Sequence, residues 1–274
     1  MLKTIRRVSL WDQIADLWRL FGPPIRPVAD DLAVYQEIVD RATASIEVPP
    51  RVLLLGVTPE LYRLCWPADA RVFALDSSAP MIEAVWQGPP DMAVAGSWTA
   101  MPFADQSFTL LLCDAGVGLL DPVGQGELLT EVQRVLAPGG TFAVRLFAPQ
   151  GRTGTVAEIF EDLDDGCIPT LDALKLRLWG ALQQNPVEGV RPSEVARRIL
   201  EARGPWDRLA QTQGWHPDYV RALELQLDSP ASFHLVDAEE LGRRGFRAGL
   251  DPPGVHRPGH DYGDSCPIVE FRRP

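Results

Sequence analysis

The stretch RVLLLGVTPELYRLCWPADARVFALD, residues 51–76, decides the fold. It contains two short apolar runs, one leading to Gly56 and one to Asp76, separated by a segment with helical spacing. Short continuous apolar runs are typical of parallel strands that are buried on both faces. Between them, Thr58 can cap a helix and Pro59 suits its first position. The stretch therefore predicts a strand–helix–strand unit.

The same pattern continues along the chain. Further apolar runs predict strands at 92–96, 108–114, 141–147 and 265–273, and the spacing of apolar residues predicts helices at 31–44, 58–66, 77–86 and 121–140. Repeated strand–helix–strand units form parallel sheets with helices on both faces. We therefore expect an α/β fold, Rossmann-like and doubly wound, with a mostly parallel sheet.

Composition excludes several classes of function. The chain has 274 residues, 46% of them hydrophobic, which suits one elaborated globular domain. The net charge is −11 and the only lysines are Lys3 and Lys175, so no nucleic-acid partner is expected. The cysteines are scattered without metal-ligand spacing, and no run reaches the ~18 apolar residues of a membrane span. We expect a soluble cytoplasmic protein without a metal or a membrane partner; the oligomeric state is not predicted.

In a doubly wound sheet, ligands bind beyond the carboxyl ends of the strands. Gly56 follows the first strand and lets a ligand approach the backbone closely. Asp76 ends the second strand, where a carboxylate can accept both hydroxyls of a ribose. Ser97 and Trp98 follow the third strand, and Asp114 ends the fourth. These positions favour an adenosine-containing cofactor.

Four segments carry a family resemblance: RVLLLGVTPEL (51–61), RVFALDSSAPMIEAV (71–85), AGSWTAMPFADQSFTLLLCDAGVGLL (95–120) and LLTEVQRVLAPGGTFAVRLF (128–147). In this order they resemble the class I S-adenosylmethionine-dependent methyltransferases, and the GVTPE turn is similar to that of a bacterial, small-molecule type. The resemblance implies S-adenosylmethionine as cofactor and a seven-stranded sheet with a terminal antiparallel hairpin. The cofactor-binding residues that it implies are Gly56, Val57, Thr58, Asp76, Ser77, Met81, Ser97, Trp98, Asp114 and Ala115.

The first motif departs from the family pattern acid-x-G-x-G-x-G. Leu54 stands at the acid position, Thr58 and Glu60 replace two glycines, and Ser97 replaces an acid that often follows the third strand. S-adenosylmethionine has no phosphate, so a dense glycine cradle is less necessary than for a dinucleotide. The departures keep open a second hypothesis, a noncatalytic methyltransferase-like scaffold or regulatory subunit with an occluded pocket. A nicotinamide-dependent oxidoreductase would need G-x-G-x-x-G, which GVTPEL does not supply.

A helix-rich region separates the fifth strand from VDAEELGRRGF, which resembles the last helix of the family. An insertion at this place lies over the carboxyl edge of the sheet, where it can close a substrate pocket as a lid. We therefore predict an N-terminal extension or flap (1–29), a methyltransferase core (30–150 and 232–274) and a helical lid insertion after the fifth strand (151–231).

Other side chains are candidates for contact with the acceptor: Trp18, Arg26, Lys175, Arg177 and Trp179 for binding, and His260 and Tyr262 for catalysis. Lys175 and Arg177 would bind a substrate carboxylate, or else lie with Trp179 on a solvated lid surface. Trp18 and Arg26 fit either a flap over the cofactor or peripheral packing.

Plain structural roles are alternatives for three cofactor candidates, because Asp76 and Asp114 can cap turns and Trp98 can be a core aromatic. Methyl transfer from a sulfonium is an in-line displacement that needs alignment of the acceptor more than proton transfer. The expected function is therefore S-adenosylmethionine-dependent methylation of a small molecule.

Overall fold

Seven strands form one mixed sheet in the computed structural model, which describes residues 9–44, 48–149 and 154–274. The strands are β1 (Arg51–Leu55), β2 (Arg71–Asp76), β3 (Ala93–Ala95), β4 (Phe108–Asp114), β5 (Leu136–Arg145), β6 (Gly254–His256) and β7 (Ile268–Arg272). Their order across the sheet is β3-β2-β1-β4-β5-β7-β6. Strand β7 is antiparallel to both β5 and β6, and the other pairs are parallel. The predicted doubly wound α/β sheet is confirmed.

Twelve α-helices are found in the described residues: α1 (Leu10–Ile14), α2 (Ala29–Thr43), α3 (Pro59–Tyr62), α4 (Ala79–Val85), α5 (Pro122–Val135), α6 (Val156–Asp164), α7 (Leu171–Leu182), α8 (Pro192–Arg203), α9 (Trp206–Gln213), α10 (Pro217–Arg221), α11 (Glu224–Leu227) and α12 (Ala238–Arg247). Helices α2, α4, α5 and α12 pack on sheet strands, and α6 to α11 form the insertion between β5 and α12. Residues 1–8 of the predicted extension and 150–153 at the predicted start of the insertion lie outside the described residues.

Three local predictions were wrong. The helix predicted at 58–66 is only the single turn α3, and Thr58 makes no side-chain capping bond; Pro67 disfavours helical backbone just before it. The helix predicted to reach residue 140 ends at Val135 and passes directly into β5. Residues 251–264, where the apolar pattern predicts no strand, contain β6, a short edge strand that pairs with β7.

The core consists of two clusters on the sheet and one in the insertion. Because side chains alternate along a strand, Leu53 and Leu55 of β1 join one sheet cluster while Val52 and Leu54 join the other. The third cluster joins insertion helices to N-terminal residues such as Phe21. The N-terminal segment is therefore part of the insertion core.

Residues 22–25 are the seam between sheet and insertion. On the sheet side, the Arg145 guanidinium donates to the carbonyls of Pro24 (2.9 Å) and Ile25 (3.0 Å). On the insertion side, the N–H of Gly22 donates to Asp172 Oδ2 (2.7 Å). Hydrogen bonds of this kind satisfy the buried backbone and fix how the two parts meet.

Candidate functional site

One large cavity lies at the carboxyl end of the parallel strands. Its volume of about 1050 Å³ is at the upper end of the ~300–1,000 Å³ found for ligand pockets. All ten residues that the resemblance implies for the cofactor line it: Gly56, Val57, Thr58, Asp76, Ser77, Met81, Ser97, Trp98, Asp114 and Ala115. We call the part that these residues line, together with Gly116, the sheet half.

Asp76 ends β2 at the cavity. Its Oδ1 accepts a hydrogen bond from the N–H of Ser78 (2.8 Å), and Ser78 itself caps α4 by accepting from the N–H of Met81. Burial raises the pKa of Asp76 to about 6; the N–H groups of Ser78 and Ser77 oppose this rise, and the charge of Asp12 adds to it. Hydroxyl donors stabilise the ionised form of such a carboxyl. The side chain is therefore suited to a diol such as a ribose.

Trp98 forms a wall of the sheet half. Its indole Nε1 donates to the carbonyl of Leu75 at 2.7 Å. A Cβ added to Gly116 would lie 2.6 Å from its ring, and one added to Gly56 would lie 3.8 Å away. Gly56 also has a φ of +95°, a conformation that favours glycine. Because neither glycine has a side chain, the Trp98 ring can pack closely against the backbone at both positions. Its position suits the predicted role of a neighbour of the adenine.

Asp114 belongs to a buried ion pair at the end of β4. Its Oδ1 lies 2.5 Å from Arg145 Nε, and Arg145 also lies 3.5 Å from Asp31 Oδ2. Burial raises the pKa of Asp114, and the guanidinium opposes that rise. The next residue, Ala115, has a left-handed φ of 55° and donates its N–H to the carbonyl of Arg145. Strained backbone of this kind concentrates at functional sites.

Helix α1 covers the sheet half from the N-terminal side. The Ser78 hydroxyl donates to Asp12 Oδ1 (2.5 Å), which ties α1 to the start of α4. Trp11 and Ile14 of α1 line the cavity, as does Trp18 beyond it. Helix α1 also contacts α11 of the insertion. The N-terminal segment is therefore a wall of the cavity as well as part of the core.

Most of the remaining lining comes from the N-terminal segment, the segment after β5 and the insertion, and we call this part the insertion half. Six of its side chains are aromatic: Trp11, Trp18, Phe21, Phe147, Trp179 and Phe233. The ring centroid of Trp179 lies 4.7 Å from that of Phe233 and 6.0 Å from that of Phe147. Trp18 stacks on Phe21 at 5.3 Å. The insertion half is therefore walled by aromatic rings.

Lys175 lines the insertion half and is only 2% exposed. Its Nζ lies 2.7 Å from Asp172 Oδ1 and donates to the Tyr219 hydroxyl at 2.9 Å. Tyr219 donates in turn to Asp172, and burial raises the pKa of this tyrosine far above its usual range. A solvated lid surface is the wrong interpretation for both Lys175 and Trp179, because both are buried in the insertion core.

Two predicted substrate contacts, Arg26 and Arg177, do not line the cavity. Arg26 donates from Nε to Glu60 Oε1 (2.7 Å) and so holds the turn after β1. Arg177 Nη2 lies 2.5 Å from Asp162 Oδ2 within the insertion. Each guanidinium is committed to a carboxylate, so the structure does not support a substrate role for either.

The two catalytic candidates also lie away from the cavity lining. His260 Nε2 is 2.9 Å from Asp31 Oδ1, behind the Asp114–Arg145 pair. Tyr262 packs against the insertion core. Through His260, residues 251–264 contact the group formed by Asp31, Arg145 and Asp114. The structure does not place either side chain where it could contact an acceptor.

Sequence reasoning missed Arg145, Asp172 and Tyr219. The signal for Arg145 was present, since it is a single charge within the otherwise apolar run TFAVRLF, and such a charge needs a buried partner. Asp172 and Lys175 have the i,i+3 spacing of a helical ion pair. Nothing in the sequence pointed to Tyr219, which joins them from another helix.

Among the described residues, no group of side chains has the composition of a metal site. No helix there is long and apolar enough to cross a membrane.

Residues 55–144 match the family model of a methyltransferase domain. No functionally curated protein is significantly similar to the chain.

Three solved structures share the fold. The CcbJ methyltransferase of Streptomyces caelestis is 17% identical, with 97% of this chain and 98% of that one covered and a TM-score of 0.54. A protein of Rhodobacter sphaeroides, named for a proposed Zn-dependent alcohol dehydrogenase activity, is 13% identical, with 97% and 96% covered and a TM-score of 0.59. A protein of Nostoc punctiforme, named for a proposed O-methyltransferase activity, is 15% identical, with 96% and 60% covered and a TM-score of 0.51.

This chain spans 56% of the length of another match, the CurJ carbon methyltransferase (10% identity, TM-score 0.53, 90% of this chain covered), and 60% of the Nostoc protein. At these identities the likeness shows the fold, which is that of the class I methyltransferases.

Proposed function

We propose that this chain methylates a small molecule bound beneath its helical insertion. Its fold and its domain at residues 55–144 are those of a class I S-adenosylmethionine-dependent methyltransferase. The observation that carries the proposal is the continuity of the cavity. The sheet half contains every residue expected to hold the cofactor, and the same cavity continues into the aromatic insertion half.

The sheet half has the donor set that S-adenosylmethionine requires. Asp76 would accept the ribose hydroxyls, Trp98 would lie beside the adenine, and Gly56 with Asp114 would border the methionine part. The Asp114 carboxyl group lies at the cavity wall beside Arg145, a position that suits contact with a sulfonium cation because opposite charges attract strongly where water is excluded. Missing glycines in the first motif are compatible with this assignment, since no phosphate has to be cradled.

When bound, S-adenosylmethionine supplies a methyl group whose carbon–sulfur bond breaks as the acceptor's lone pair attacks, with the bonding electron pair returning to sulfur. The chain itself contributes alignment and exclusion of water. Rings such as Trp179 and Phe147 would fix the acceptor, and α1 with α11 would close the cavity from outside. Alignment alone can lower a barrier by about 7–11 kcal/mol.

The scaffold alternative predicts an occluded pocket. A cavity of about 1050 Å³ with a complete set of strand-end side chains argues for ligand binding instead.

Isothermal titration calorimetry with S-adenosylmethionine and S-adenosylhomocysteine tests the proposal. Saturable binding of both is expected, with weaker binding by Asp76→Ala and unchanged binding by the exposed control Asp91→Asn. Absence of saturable binding by the wild-type protein would contradict the proposal.

A further inference from the structure

We propose that the insertion half accepts an uncharged, flat aromatic molecule as the methyl acceptor, an inference that rests on the proposed function. Aromatic walls, the placement of charges and three unpaired polar atoms lead to this class of ligand. Each observation excludes or favours a different kind of molecule.

The walls favour a flat ring. The rings of Trp179, Phe147 and Phe233 form a continuous row. The ring centroid of Trp179 lies 4.7 Å from that of Phe233 and 6.0 Å from that of Phe147. Trp18 and Phe21 add a stacked pair from the N-terminal segment. Aromatic rings pair in offset or edge-to-face arrangements at about these separations, so a planar ligand can extend the same packing.

The position of Lys175 excludes cations. Its Nζ lies 4.8 Å from the ring centroid of Phe21 and 6.0 Å from that of Trp179. These are the places over aromatic faces that a ligand cation would take. A cationic ligand would therefore find these ring faces already occupied.

The surrounding carboxylates exclude anions. Lys175 is the only basic side chain among the described residues that line the cavity, and Asp172 at 2.7 Å already balances its charge. Glu224 and Asp228 also line the cavity and are exposed at its mouth. An incoming anion therefore meets like charges at the entrance and no unpaired cation inside.

Neutral hydrogen-bonding groups remain in the walls. The indole Nε1 atoms of Trp18 and Trp179 and the amide Oε1 of Gln226 are buried and have no hydrogen-bond partner in the described residues. All three side chains belong to the cavity lining. Buried polar atoms without a partner are costly. An uncharged ligand with a hydroxyl group offers both an acceptor for an indole N–H and a donor for the amide oxygen.

Three probes of equal ring size separate the charge classes: 2-naphthol, 2-naphthoate and 2-naphthylmethylammonium. Each is titrated at pH 7 by calorimetry into protein saturated with S-adenosylhomocysteine. We expect 2-naphthol to bind at least about tenfold more tightly than either charged probe, because burying an uncompensated charge is unfavourable. Tighter binding of either charged probe would overturn the inference.

Removal of the two negative charges at the cavity mouth provides the matched comparison. The double variant Glu224→Gln/Asp228→Asn should bind 2-naphthoate several-fold more tightly and leave 2-naphthol unchanged. The control Asp69→Asn/Asp91→Asn removes the same charge from exposed positions outside the cavity lining and should change neither. Saturable binding of S-adenosylhomocysteine without binding of any probe would overturn the acceptor inference alone, whereas no binding of S-adenosylhomocysteine would overturn the proposed function and this inference with it.

Discussion

The two halves of the cavity each contain a buried ion pair, but the pairs are turned in opposite directions. In the sheet half the carboxylate of Asp114 lines the cavity and Arg145 stands behind it; in the insertion half Lys175 lines the cavity and Asp172 stands behind it. One half thus has the carboxyl group of its pair at the cavity wall, and the other has the ammonium group. The contrast suits a cationic cofactor on one side and a ligand that is not a cation on the other.

The pairs also differ in how many partners the cation holds. Arg145 donates to Asp114 and to the carbonyls of Pro24 and Ile25, and it lies near Asp31. Lys175 has the partners Asp172 and Tyr219. Both pairs anchor the seam 22–25, so the same short segment depends on both charges.

Arg145→Met should have the largest effect. It leaves the Asp114 carboxyl group buried without a cation, removes a neighbour of Asp31 and frees two carbonyls, so we expect a loss of about 3–5 kcal/mol in the free energy of unfolding. Urea denaturation measures this loss. The control Arg198→Met, at an exposed helical pair, should change stability little. A loss below about 1 kcal/mol for Arg145→Met would show that the sheet pair is not the stronger anchor.

Asp76→Ala tests the sheet half through the cofactor. Losing the acceptor of the ribose hydroxyls should weaken S-adenosylhomocysteine binding by about 1.5–3 kcal/mol, or about 10- to 100-fold in Kd. Calorimetry measures this change. Unchanged affinity would show that Asp76 does not contact the cofactor and would indicate that the ligand binds nearer to the insertion half.

The pKa of Asp76, about 6, adds a pH dependence. The ionised carboxylate is the better acceptor, so affinity for S-adenosylhomocysteine should rise with pH through about 6 and be flatter in Asp76→Asn. Stability should change in the opposite direction: a carboxyl whose pKa is raised by folding contributes stability below its unfolded pKa, and this is lost as pH rises through 6. Asp76→Asn should therefore be at least as stable as wild type above pH 7, as urea denaturation at several pH values would show.

Lys175→Met should cost less than Arg145→Met. Asp172 retains donors from Gly22 and Tyr219, so we expect a loss of about 1–3 kcal/mol in the free energy of unfolding. Cofactor affinity should stay close to wild type because the change lies in the insertion half. Loss of cofactor binding with intact folding would show that the two halves are coupled.

Gly116→Ala should have the smallest effect. Its Cβ would lie 2.6 Å from the Trp98 ring, but that ring is partly exposed and can move, so we expect a cost of about 1 kcal/mol and weaker S-adenosylhomocysteine binding. Gly126→Ala, in α5 with nothing within 4 Å of the new Cβ, should instead gain about 0.5–1 kcal/mol. Equal effects of the two variants would contradict the role assigned to Trp98.

The sequence was informative for the sheet half because its residues follow strand ends. Gly56, Asp76, Trp98 and Asp114 each come at or just after an apolar run, and parallel strands bring all such positions to one edge. No comparable rule covers the insertion half. Lys175 and Trp179 were found as candidates, whereas Phe147, Asp172 and Tyr219 were not.

Arginine side chains show the limit of such reasoning most clearly. Arg26 and Arg177 look like substrate ligands in an acidic chain, yet each binds a nearby carboxylate. Arg145 is a single charge within an apolar run, which indicates a buried partner, but only the structure shows that it connects the sheet to the N-terminal segment. Whether a charge faces a cavity or a partner depends on contacts between residues that are distant in sequence.

The sequence by itself determined the α/β fold, the edge where ligands bind and the residues gathered there, because strand periodicity and parallel connections are local rules. Three features follow from tertiary contacts alone: residues 22–25 join sheet and insertion, Lys175 is buried beside Asp172, and one cavity runs through both halves. Those features arise from helix packing and from pairing of buried charges across long stretches of chain, where many arrangements satisfy the same local pattern and the burial of polar groups selects among them.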